Sequence, residues 1–499
     1  MKSTVTERLT EGPAQEVLDH LYLPRLREEF AATFGYMTDV NKAHVVMLAR
    51  QKIIEQPPAA TILRALLTLE QGGPQAFTLD PRLEDTFFNY ETAVINLSGP
   101  EIGGQMHTAR SRNDLGATLV RMRVRDVLLE FLRLLFKARS TALGQAEKFA
   151  DVVMPGYTHL QPAQPITMGH YLVGIASALE RDTRRVTAAY TTTNLSPLGA
   201  GALAGTTFPI DRAQTAAMLG FDGLIENTLD AVATRDFALE LLSAWAIFGL
   251  TCSRAGQDFY VWFTHEFGTV DFPDRVAGTS SIMPQKKNPV VLEHLKGKPA
   301  HLLGAFVSAA SAIKSTNYTN TIDGNREGTH GLWETYEQAR TCAVLLDLVL
   351  ATAIPKAPLM LERARTDFCT ATDLADALVR HGRMSFRQAH HVVGGVVRVA
   401  IDRGLRSDQI KTSLIDEVSQ EVIGRTAGLA ESVVKKALDP QESIHGRTTV
   451  GGPAPEEVRR QVREARARLA REEQALEARL KQLAKAKEEL AAAVAVLTA

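Results

Sequence analysis

The sequence predicts an all-α subunit built around a central bundle of long helices. From residue 115 to about 355, apolar residues recur at spacings of three and four, as in Leu172, Ile175 and Leu179. Glycine and proline are confined largely to the breaks between these stretches, which is typical of helices with one apolar face. The last forty residues show the same spacing amid arginine, lysine and glutamate. Because 499 residues exceed one typical core, we expect two or three domains.

Composition indicates a globular protein without a general attraction to polyanions. Hydrophobic residues make up 45% of the chain and the net charge is -1, so we expect neither nucleic acid nor an anionic membrane as partner. Cys252, Cys342 and Cys369 have no metal-ligand spacing and are too few for a disulfide framework. The N-terminus lacks a signal-peptide core, and no run approaches the ~20 apolar residues of a membrane span. The sequence predicts a cytoplasmic protein.

Two polar clusters lie at predicted helix starts in the first third of the chain. Ser111, Arg112, Asn113 and Asp114 precede an apolar helical pattern that begins at Leu115. Taken alone, this cluster is an ordinary helix cap with a solvated arginine. An arginine fork is also suited to bidentate binding of a carboxylate.

The second cluster spans residues 156–165 and contains a hydroxyl and an imidazole, Thr158 and His159. Pro162 and Pro165 forbid a helix until about Ile166. A single histidine is usually a structural residue, so this cluster indicates function only in combination with the others.

The third cluster, residues 278–289, is the most informative because it combines serines, lysines and an amide immediately before a helix. We expect Asn288 to be the N-cap and Pro289 to take the first helical position. Lys286 then lies beside the positive end of a helix dipole, where a cation needs an anion nearby. A bound carboxylate would satisfy it. The alternative is a solvated turn with two surface lysines.

Together the three clusters resemble the signature regions of the fumarase/aspartase superfamily. Residues 285–289 read Gln-Lys-Lys-Asn-Pro, which resembles the argininosuccinate lyase branch rather than the Gly-Lys-Val-Asn-Pro of fumarases. Residues 198–212, 219–223 and 451–455 resemble the same branch, and the likeness spans roughly residues 15 to 465.

The resemblance implies a three-domain helical subunit in a homotetramer, with each active site assembled from three subunits. We predict an N-terminal helical domain over 1–110, a central bundle over 111–362 and a C-terminal helical domain over 363–456. Residues 457–499 extend beyond the usual family end as a long amphipathic helix, which packs on its own subunit or pairs with another chain. No cofactor and no metal site are expected, and activity should persist with a chelator.

The resemblance also implies the roles of individual residues. Ser280 matches the catalytic base, and His159 matches a histidine that binds substrate or supplies a proton to the departing amine. Lys286 would stabilise the anionic intermediate, Glu293 would polarise His159, and Lys287 is expected to be structural. The expected substrate-binding residues are Ser111, Arg112, Asn113, Thr158, Gln161, Ser281, Met283, Asn288, Tyr318 and Arg326.

The departures from the family concern the amine side of the substrate. Ala109 replaces a glycine, residues 84–91 carry three aromatics in place of a small polar wall, and Val290 stands where an aspartate is usual. In the segment 318–326, which in the family grips arginine, only Tyr318 is retained, with Arg326 facing a lysine. An unmatched charge in a buried site is costly, so these changes should not be neutral for argininosuccinate.

The sequence therefore predicts a carbon-nitrogen lyase that reversibly eliminates fumarate from an N-substituted L-aspartate other than argininosuccinate. Aminopolycarboxylates such as ethylenediamine-N,N'-disuccinate are the nearest precedent. The first alternative is an argininosuccinate lyase of arginine biosynthesis. The others are a non-catalytic scaffold resembling lens crystallins and a hydratase or cycloisomerase of the same superfamily.

Overall fold

The computed structural model describes Arg8 and residues 10–499. Helices occupy 71% of the chain, which confirms the all-α prediction. The longer helices are Leu23–Arg50, Gln56–Gly72, Thr86–Ser98, Arg112–Lys148, Met168–Thr193, Asp236–Phe263, Pro299–Ile313, Leu332–Thr352, Ala357–Thr366, Ala371–His381, Phe386–Asp402, Thr412–Ile423 and Pro455–Thr498. Shorter helices are Gln15–Val17, Pro100–Gly103, Arg212–Met218, Thr228–Ala233, Val290–Gly297, Glu431–Ala437 and Pro440–Gly446. The strands are Val153–Thr158, Gln161–Thr167, Leu195–Ser196, Gly223–Leu224, Val270–Asp271 and Ile354–Pro355.

The centre of the molecule is the predicted bundle of long helices. Arg112–Lys148 packs along Met168–Thr193 and Leu332–Thr352, and Asp236–Phe263 completes the bundle. Its interior holds Trp245 and a Phe131–Phe248 pair whose ring centroids lie 5.3 Å apart, edge to face. This arrangement suits the ring quadrupoles and fills the space between helices with large apolar side chains.

Among the described residues, the helix Asp236–Phe263 has the length and hydropathy of a membrane span. However, 56% of that stretch is buried inside the protein, where it packs against three other bundle helices. Its exposed apolar side chains include Ile247 and Leu250, 39% and 53% exposed. The burial identifies a core helix, and the exposed residues leave an apolar face at the surface of the single chain.

Three large apolar cores divide the described chain. One lies between the helices of residues 30–122, the second fills the bundle, and the third lies among the helices of residues 374–438. The predicted domain boundaries at 110, 362 and 456 stay a prediction.

The final helix, Pro455–Thr498, connects the first two cores along its own subunit. Val458, Val462 and Leu469 belong to the bundle core, whereas Leu490 and Val494 belong to the N-terminal core. The amphipathic pattern read from the sequence is therefore the pattern of a helix whose two ends cover two different cores.

Buried ion pairs fix the register of this helix on the bundle. Glu180, which is buried, accepts hydrogen bonds from Arg468 at 2.9 and 3.1 Å. Arg139 is 1% exposed and pairs with Glu472. Burial alone would raise the pKa of Glu180, but its arginine partners outweigh burial and lower it. Because a buried charge without its partner is costly, these pairs define where the helix binds.

The structure refines the predicted helix starts of the second and third clusters. The second cluster is non-helical, as expected, and forms a β-hairpin, with Val153–Thr158 antiparallel to Gln161–Thr167; the following helix begins at Met168, two residues after the expected start near Ile166. The prolines fit because an isolated two-stranded ribbon has free edges where a missing N–H costs nothing. Asn288 is not a helix cap: its backbone pairs with Gly278 in a β-bridge, and Pro289 precedes the helix Val290–Gly297.

Candidate active site

The loop that carries Ser280 is closed at its base by paired backbone hydrogen bonds. Gly278 and Asn288 exchange two bonds of 2.8 Å, so the intervening residues form a protruding loop. The side-chain amide of Asn288 donates to the carbonyl of Thr279 at 3.0 Å. The predicted Ser281, Met283 and Lys286 lie exposed on this loop.

The Ser280 hydroxyl lies where backbone amides can stabilise negative charge on it. Its Oγ accepts a hydrogen bond from the N–H of Met283 at 3.1 Å, and the N–H of Ile282 is 3.5 Å away. A free serine hydroxyl is far too weak a base to remove a carbon-bound proton. Amide donors aimed at the oxygen are the contribution that a serine alkoxide would require.

The two neighbouring lysines of the loop have different surroundings. Lys287 donates to the carbonyl of Phe272 and pairs with Asp271 and Asp274 at 3.3 and 3.1 Å. Its ammonium thus ties the loop to the chain before it, in agreement with a structural role. Lys286 is exposed and makes no such ion pair among the described residues, so its charge is free to meet a ligand.

Thr158, His159 and Gln161 lie at the exposed tip of the hairpin. His159 and Leu160 form its two-residue turn with φ of 55° and 57°, and Thr158 pairs with Gln161 across it. Two successive left-handed residues match a type I′ turn, which normally uses asparagine or glycine. Such strain commonly lies at functional sites, and here it holds the imidazole at the very end of the hairpin.

The Ser111 segment begins the longest bundle helix. The Ser111 hydroxyl accepts from the N–H of Asn113 at 3.2 Å, and Asp114 accepts from the N–H of Ser111 at 3.0 Å, forming a capping box. Asp114 also accepts from the N–H groups of Gly199 and Gly201, at 2.9 and 3.0 Å. These bonds make the segment a rigid platform for the side chains of Arg112 and Asn113.

Arg112 is held by three residues that the sequence analysis did not assign to the site. Its Nη1 donates to Glu84 and Asp85, both at 2.9 Å, and its guanidinium stacks over Phe88 at 4.3 Å. The signal was present in the aromatic substitutions of residues 84–91, but only the fold shows that one of them supports Arg112.

Ala109 precedes this platform in a left-handed conformation, with φ of 62°. We expect Ala109→Gly to raise the free energy of unfolding by up to about 1 kcal/mol, because glycine has no Cβ to clash there. The control is the reverse substitution, Gly404→Ala, at a position where φ is 64° and no atom lies within 4 Å of an added Cβ. The free energy of unfolding of that variant should fall by about 1 kcal/mol. Urea unfolding of both would check the pair, and a loss of stability in Ala109→Gly would contradict the strain argument.

Two histidines lie beneath the Ser111 platform beside a buried cation. The Nε2 of His44 donates to the carbonyl of Thr108 at 2.8 Å, and burial together with Arg110 lowers the pKa of His44 well below its usual range. Burial and the charges of Arg110 and Arg112 lower the pKa of His107 to about 4. None of the guanidinium nitrogens of Arg110 makes a hydrogen bond within the described chain.

Acid should therefore destabilise this region. The folded pKa values lie below the unfolded value of about 6.5, so unfolding takes up protons as pH falls through 6.5. The contribution of the neutral histidines to the free energy of unfolding is fully present above pH 6.5 and is lost below it. For His44 the loss is up to about 1.4 kcal/mol per pH unit. We expect His44→Gln to reduce the loss between pH 7 and 5 in urea titrations, unlike His265→Gln at an exposed position. An equal change of the free energy of unfolding with pH in the wild type, His44→Gln and His265→Gln would refute this.

Three further predicted residues, Glu293, Tyr318 and Arg326, lie outside the Ser280 loop. Glu293 is exposed on the helix Val290–Gly297 and makes no hydrogen bond or ion pair to His159 within the chain. The hydroxyl of Tyr318, which is 68% exposed, bonds to Asp230. Arg326 is half-buried, and the charge of Arg112 acts on it.

The hairpin segment that carries Thr158 borders a large groove of the described chain. A groove of about 760 Å³ runs from Thr158 along Met168–Thr193 and Asp236–Phe263, but neither the Ser111 nor the Ser280 segment lines it. The Thr158 segment thus borders a groove that the other two segments do not line. Among the described residues, no group of three or more histidine, cysteine or acidic side chains could hold a metal ion.

The helical bundle with three projecting polar segments defines a lyase of the fumarase/aspartase superfamily. Two family models match: one described as lyase over residues 25–304 and one described as argininosuccinate lyase C-terminal over residues 368–445. The chain belongs to the argininosuccinate lyase-like branch of this superfamily, and it is a fumarate-forming carbon-nitrogen lyase.

Named relatives and solved structures extend over nearly the whole chain. Argininosuccinate lyase 1 of Shouchella clausii (strain KSM-K16) is 43% identical over 94% of both chains. Argininosuccinate lyase of Methanocaldococcus jannaschii is 39% identical over 89% of this chain and 90% of that one. The structure of an EDDS lyase variant with bound fumarate is 32% identical, with a TM-score of 0.88 over 98% of this chain and 97% of that one.

Proposed function

We propose that this chain is an argininosuccinate lyase, which splits argininosuccinate into arginine and fumarate. The observation that carries the proposal is the 43% identity, over 94% of both chains, to a protein named argininosuccinate lyase 1. The changes at Val290 and in 318–326 favour a different N-substituted aspartate when the sequence is considered alone. The named relatives support the alternative, argininosuccinate, better. With this substrate, residues other than Val290 and the altered segment 318–326 must hold the amine half.

In the proposed mechanism, Ser280 removes the proton from the carbon next to a carboxylate of the succinyl unit. The electron pair left by the C–H bond enters that carboxylate, whose doubled charge Lys286 and Asn288 are suited to stabilise. The pair then forms the C=C bond of fumarate as the C–N bond breaks, and His159 supplies a proton to the amine. Ser281, Thr158, Arg112 and Asn113 would hold the two succinyl carboxylates.

A second candidate substrate is an aminopolycarboxylate such as ethylenediamine-N,N'-disuccinate. The observation that favours it is the likeness to EDDS lyase over 98% of this chain, together with the loss of the arginine-gripping residues in 318–326. Both substrates have the same succinyl half, so the chemistry of Ser280 would be identical, and only the amine half distinguishes them.

The test measures the two substrates in separate assays and compares their kcat/KM values. Purified protein is given argininosuccinate or ethylenediamine-N,N'-disuccinate, and fumarate is measured by ultraviolet absorbance and mass spectrometry. We expect kcat/KM for argininosuccinate to exceed the other by about 100-fold or more, as for a site that pairs buried polar groups of its substrate. A preference for the aminopolycarboxylate would reverse the assignment, and no fumarate from either would overturn it.

We further propose that the active site is shared between subunits of a homotetramer. The groove beside Thr158 is lined by neither the Ser111 segment nor the Ser280 segment, and it is lined by the exposed apolar residues Ile247 and Leu250. An apolar helix face of this kind needs cover, and a second copy packed there would carry its own segments toward Thr158.

Mixing two inactive variants tests the shared site. If Ser280 and His159 of one site come from different subunits, co-refolded Ser280→Ala and His159→Asn chains should recover about a quarter of the wild-type rate, because a quarter of randomly assembled sites contain neither change. Each variant co-refolded with itself is the control. No recovery, in a mixture shown by mass to be tetrameric, would place both residues in one chain.

We propose the cytoplasm as the compartment. Cys252, Cys342 and Cys369 are all free and buried. Burial raises the pKa of Cys342 to about 11 and of Cys369 to about 12, so these thiols stay protonated and unreactive. Such cysteines suit a reducing environment.

A further inference from the structure

The three aromatic residues that stand in place of a small polar wall in residues 84–91 have different surroundings in the fold. Phe87 and Tyr90 belong to the N-terminal core and are 3% and 0% exposed. Phe88 is only partly buried, and the guanidinium carbon of Arg112 lies over its ring, 4.3 Å from the centroid. The first two residues fill a core, whereas Phe88 contacts a side chain that we assign to substrate binding.

Two carboxylates hold one nitrogen of the same guanidinium. Nη1 of Arg112 donates to Glu84 and to Oδ2 of Asp85, both at 2.9 Å. The other oxygen of Asp85 accepts from the backbone N–H of Phe88 at 3.0 Å, so this carboxylate links the position of the ring to that of the guanidinium. Because the ring fixes the plane of the guanidinium and Nη1 fixes its rotation within that plane, the group has little remaining freedom.

The turn that supplies the two carboxylates has a strained backbone. Glu84 has φ of 64° and ψ of -57°, and the N–H of Asp85 donates to the carbonyl of Leu83 at 2.7 Å. These values describe a γ-turn of the rare form with positive φ. Strain of this kind commonly lies at functional sites, and here it brings both carboxylates to the same nitrogen of Arg112.

The N–H groups of Arg112 that remain form an edge suited to a carboxylate. A guanidinium has five N–H donors, and those of Nη1 are directed to Glu84 and Asp85. Nε and Nη2 make no hydrogen bond within the part of the chain that the structure describes, and the side chain is 41% exposed. A carboxylate can accept from this pair of nitrogens in one plane. Since the guanidinium is already fixed, it loses little freedom when the carboxylate binds.

We propose that Phe88 is a positioning residue for the substrate: its ring holds the guanidinium of Arg112 in the plane in which Nε and Nη2 bind a succinyl carboxylate. This inference rests on the proposed role of Arg112 and deepens it. The aromatic change at position 88 then acts on the succinyl half of the substrate, whereas the sequence alone assigns the changes in residues 84–91 to the amine half.

The experiment compares a variant that removes the aromatic face with one that keeps it. Phe88→Leu and Phe88→Tyr are assayed for fumarate release from whichever of argininosuccinate and ethylenediamine-N,N'-disuccinate has the higher kcat/KM with wild type. We expect Phe88→Leu to raise KM by about 10-fold and to keep kcat within about threefold, because a loosened Arg112 weakens ground-state and transition-state binding alike. Phe88→Tyr should keep both constants within about twofold. Calorimetric titration with fumarate makes the same comparison without turnover, and its Kd should rise by about 10-fold in Phe88→Leu alone.

A double-mutant cycle tests whether the ring acts through the guanidinium. Lysine keeps the charge but lacks the planar fork, so in an Arg112→Lys background Phe88→Leu should raise KM by less than about twofold. Phe386→Leu, at a 60% exposed aromatic residue of the C-terminal region, is the matched control and should leave KM unchanged. An equal rise of KM in both backgrounds would overturn the positioning role, because the ring would then act independently of Arg112.

The outcomes distinguish this inference from the proposed function. If Arg112→Gln raises KM and the Kd of fumarate by more than about 10-fold while Phe88→Leu changes neither, the positioning role is overturned and the role of Arg112 stands. If Arg112→Gln binds fumarate as wild type does, the role of Arg112 is overturned together with the inference. Circular dichroism and native mass confirm that each variant is folded and assembled. Should Phe88→Leu fail to fold, Phe88→Met, which is also apolar and lacks a ring, replaces it in every comparison.

Discussion

Replacing Ser280 with alanine is expected to lower kcat by about 1000-fold or more, because general-base catalysis contributes 10²–10⁴-fold and no other hydroxyl takes its place. The Ser280 Oγ accepts from the amides of Met283 and Ile282, and Ser281, its nearest neighbour, lacks these donors. Initial rates of fumarate release, with protein concentration matched, measure the loss.

The side chain of Ser280 belongs to an exposed loop, so the fold should not depend on it. Circular dichroism, thermal unfolding and native mass of Ser280→Ala should match wild type. Ser413→Ala, at an exposed serine of the helix Thr412–Ile423, is the matched control and should keep full activity. If Ser280→Ala retained more than a tenth of the wild-type rate, another group would have to be the base.

Leu490→Ala is expected to lower the free energy of unfolding by about 2–5 kcal/mol, the usual cost of a cavity at a buried leucine. Leu490 is 3% exposed and contributes to the core formed mainly by residues 30–122. The substitution lies more than 350 residues away from that region in sequence. Its effect should therefore report on how the final helix holds the N-terminal core.

The control for Leu490 lies on the same helix. Val496 is 78% exposed, so Val496→Ala should change stability by no more than about 0.5 kcal/mol. Chemical unfolding followed by circular dichroism would measure both. Similar small losses in the two variants would mean that the end of the helix detaches from the core in solution.

The helical fold could be predicted from sequence because apolar spacing is a local property. The patterns at Leu172–Leu179 and along residues 457–499 required only the period of a helix, and both are helical. The reaction class was predicted from the resemblance of three short clusters to the signature regions of the superfamily, and Ser280, Lys286 and Asn288 of one cluster lie within one loop.

The hairpin and the support of Arg112 could not be predicted, because neither depends on local pattern alone. His159 and Leu160 adopt left-handed backbone despite being poor residues for such a turn, so tertiary context outweighs propensity. Glu84, Asp85 and Phe88 reach Arg112 across about 25 residues of chain.

The final helix also has a consequence for synthesis on the ribosome. Leu490 and Val494 form part of the core whose other residues lie mainly before position 122, so that core lacks one wall until translation is almost complete. At 5–20 residues per second, the interval is roughly 20–70 s, during which the nascent chain exposes apolar surface. Chains stalled before residue 490 should be more sensitive to protease in residues 30–122 than released chains. We expect the nascent chain to expose this apolar surface until its last helix leaves the exit tunnel.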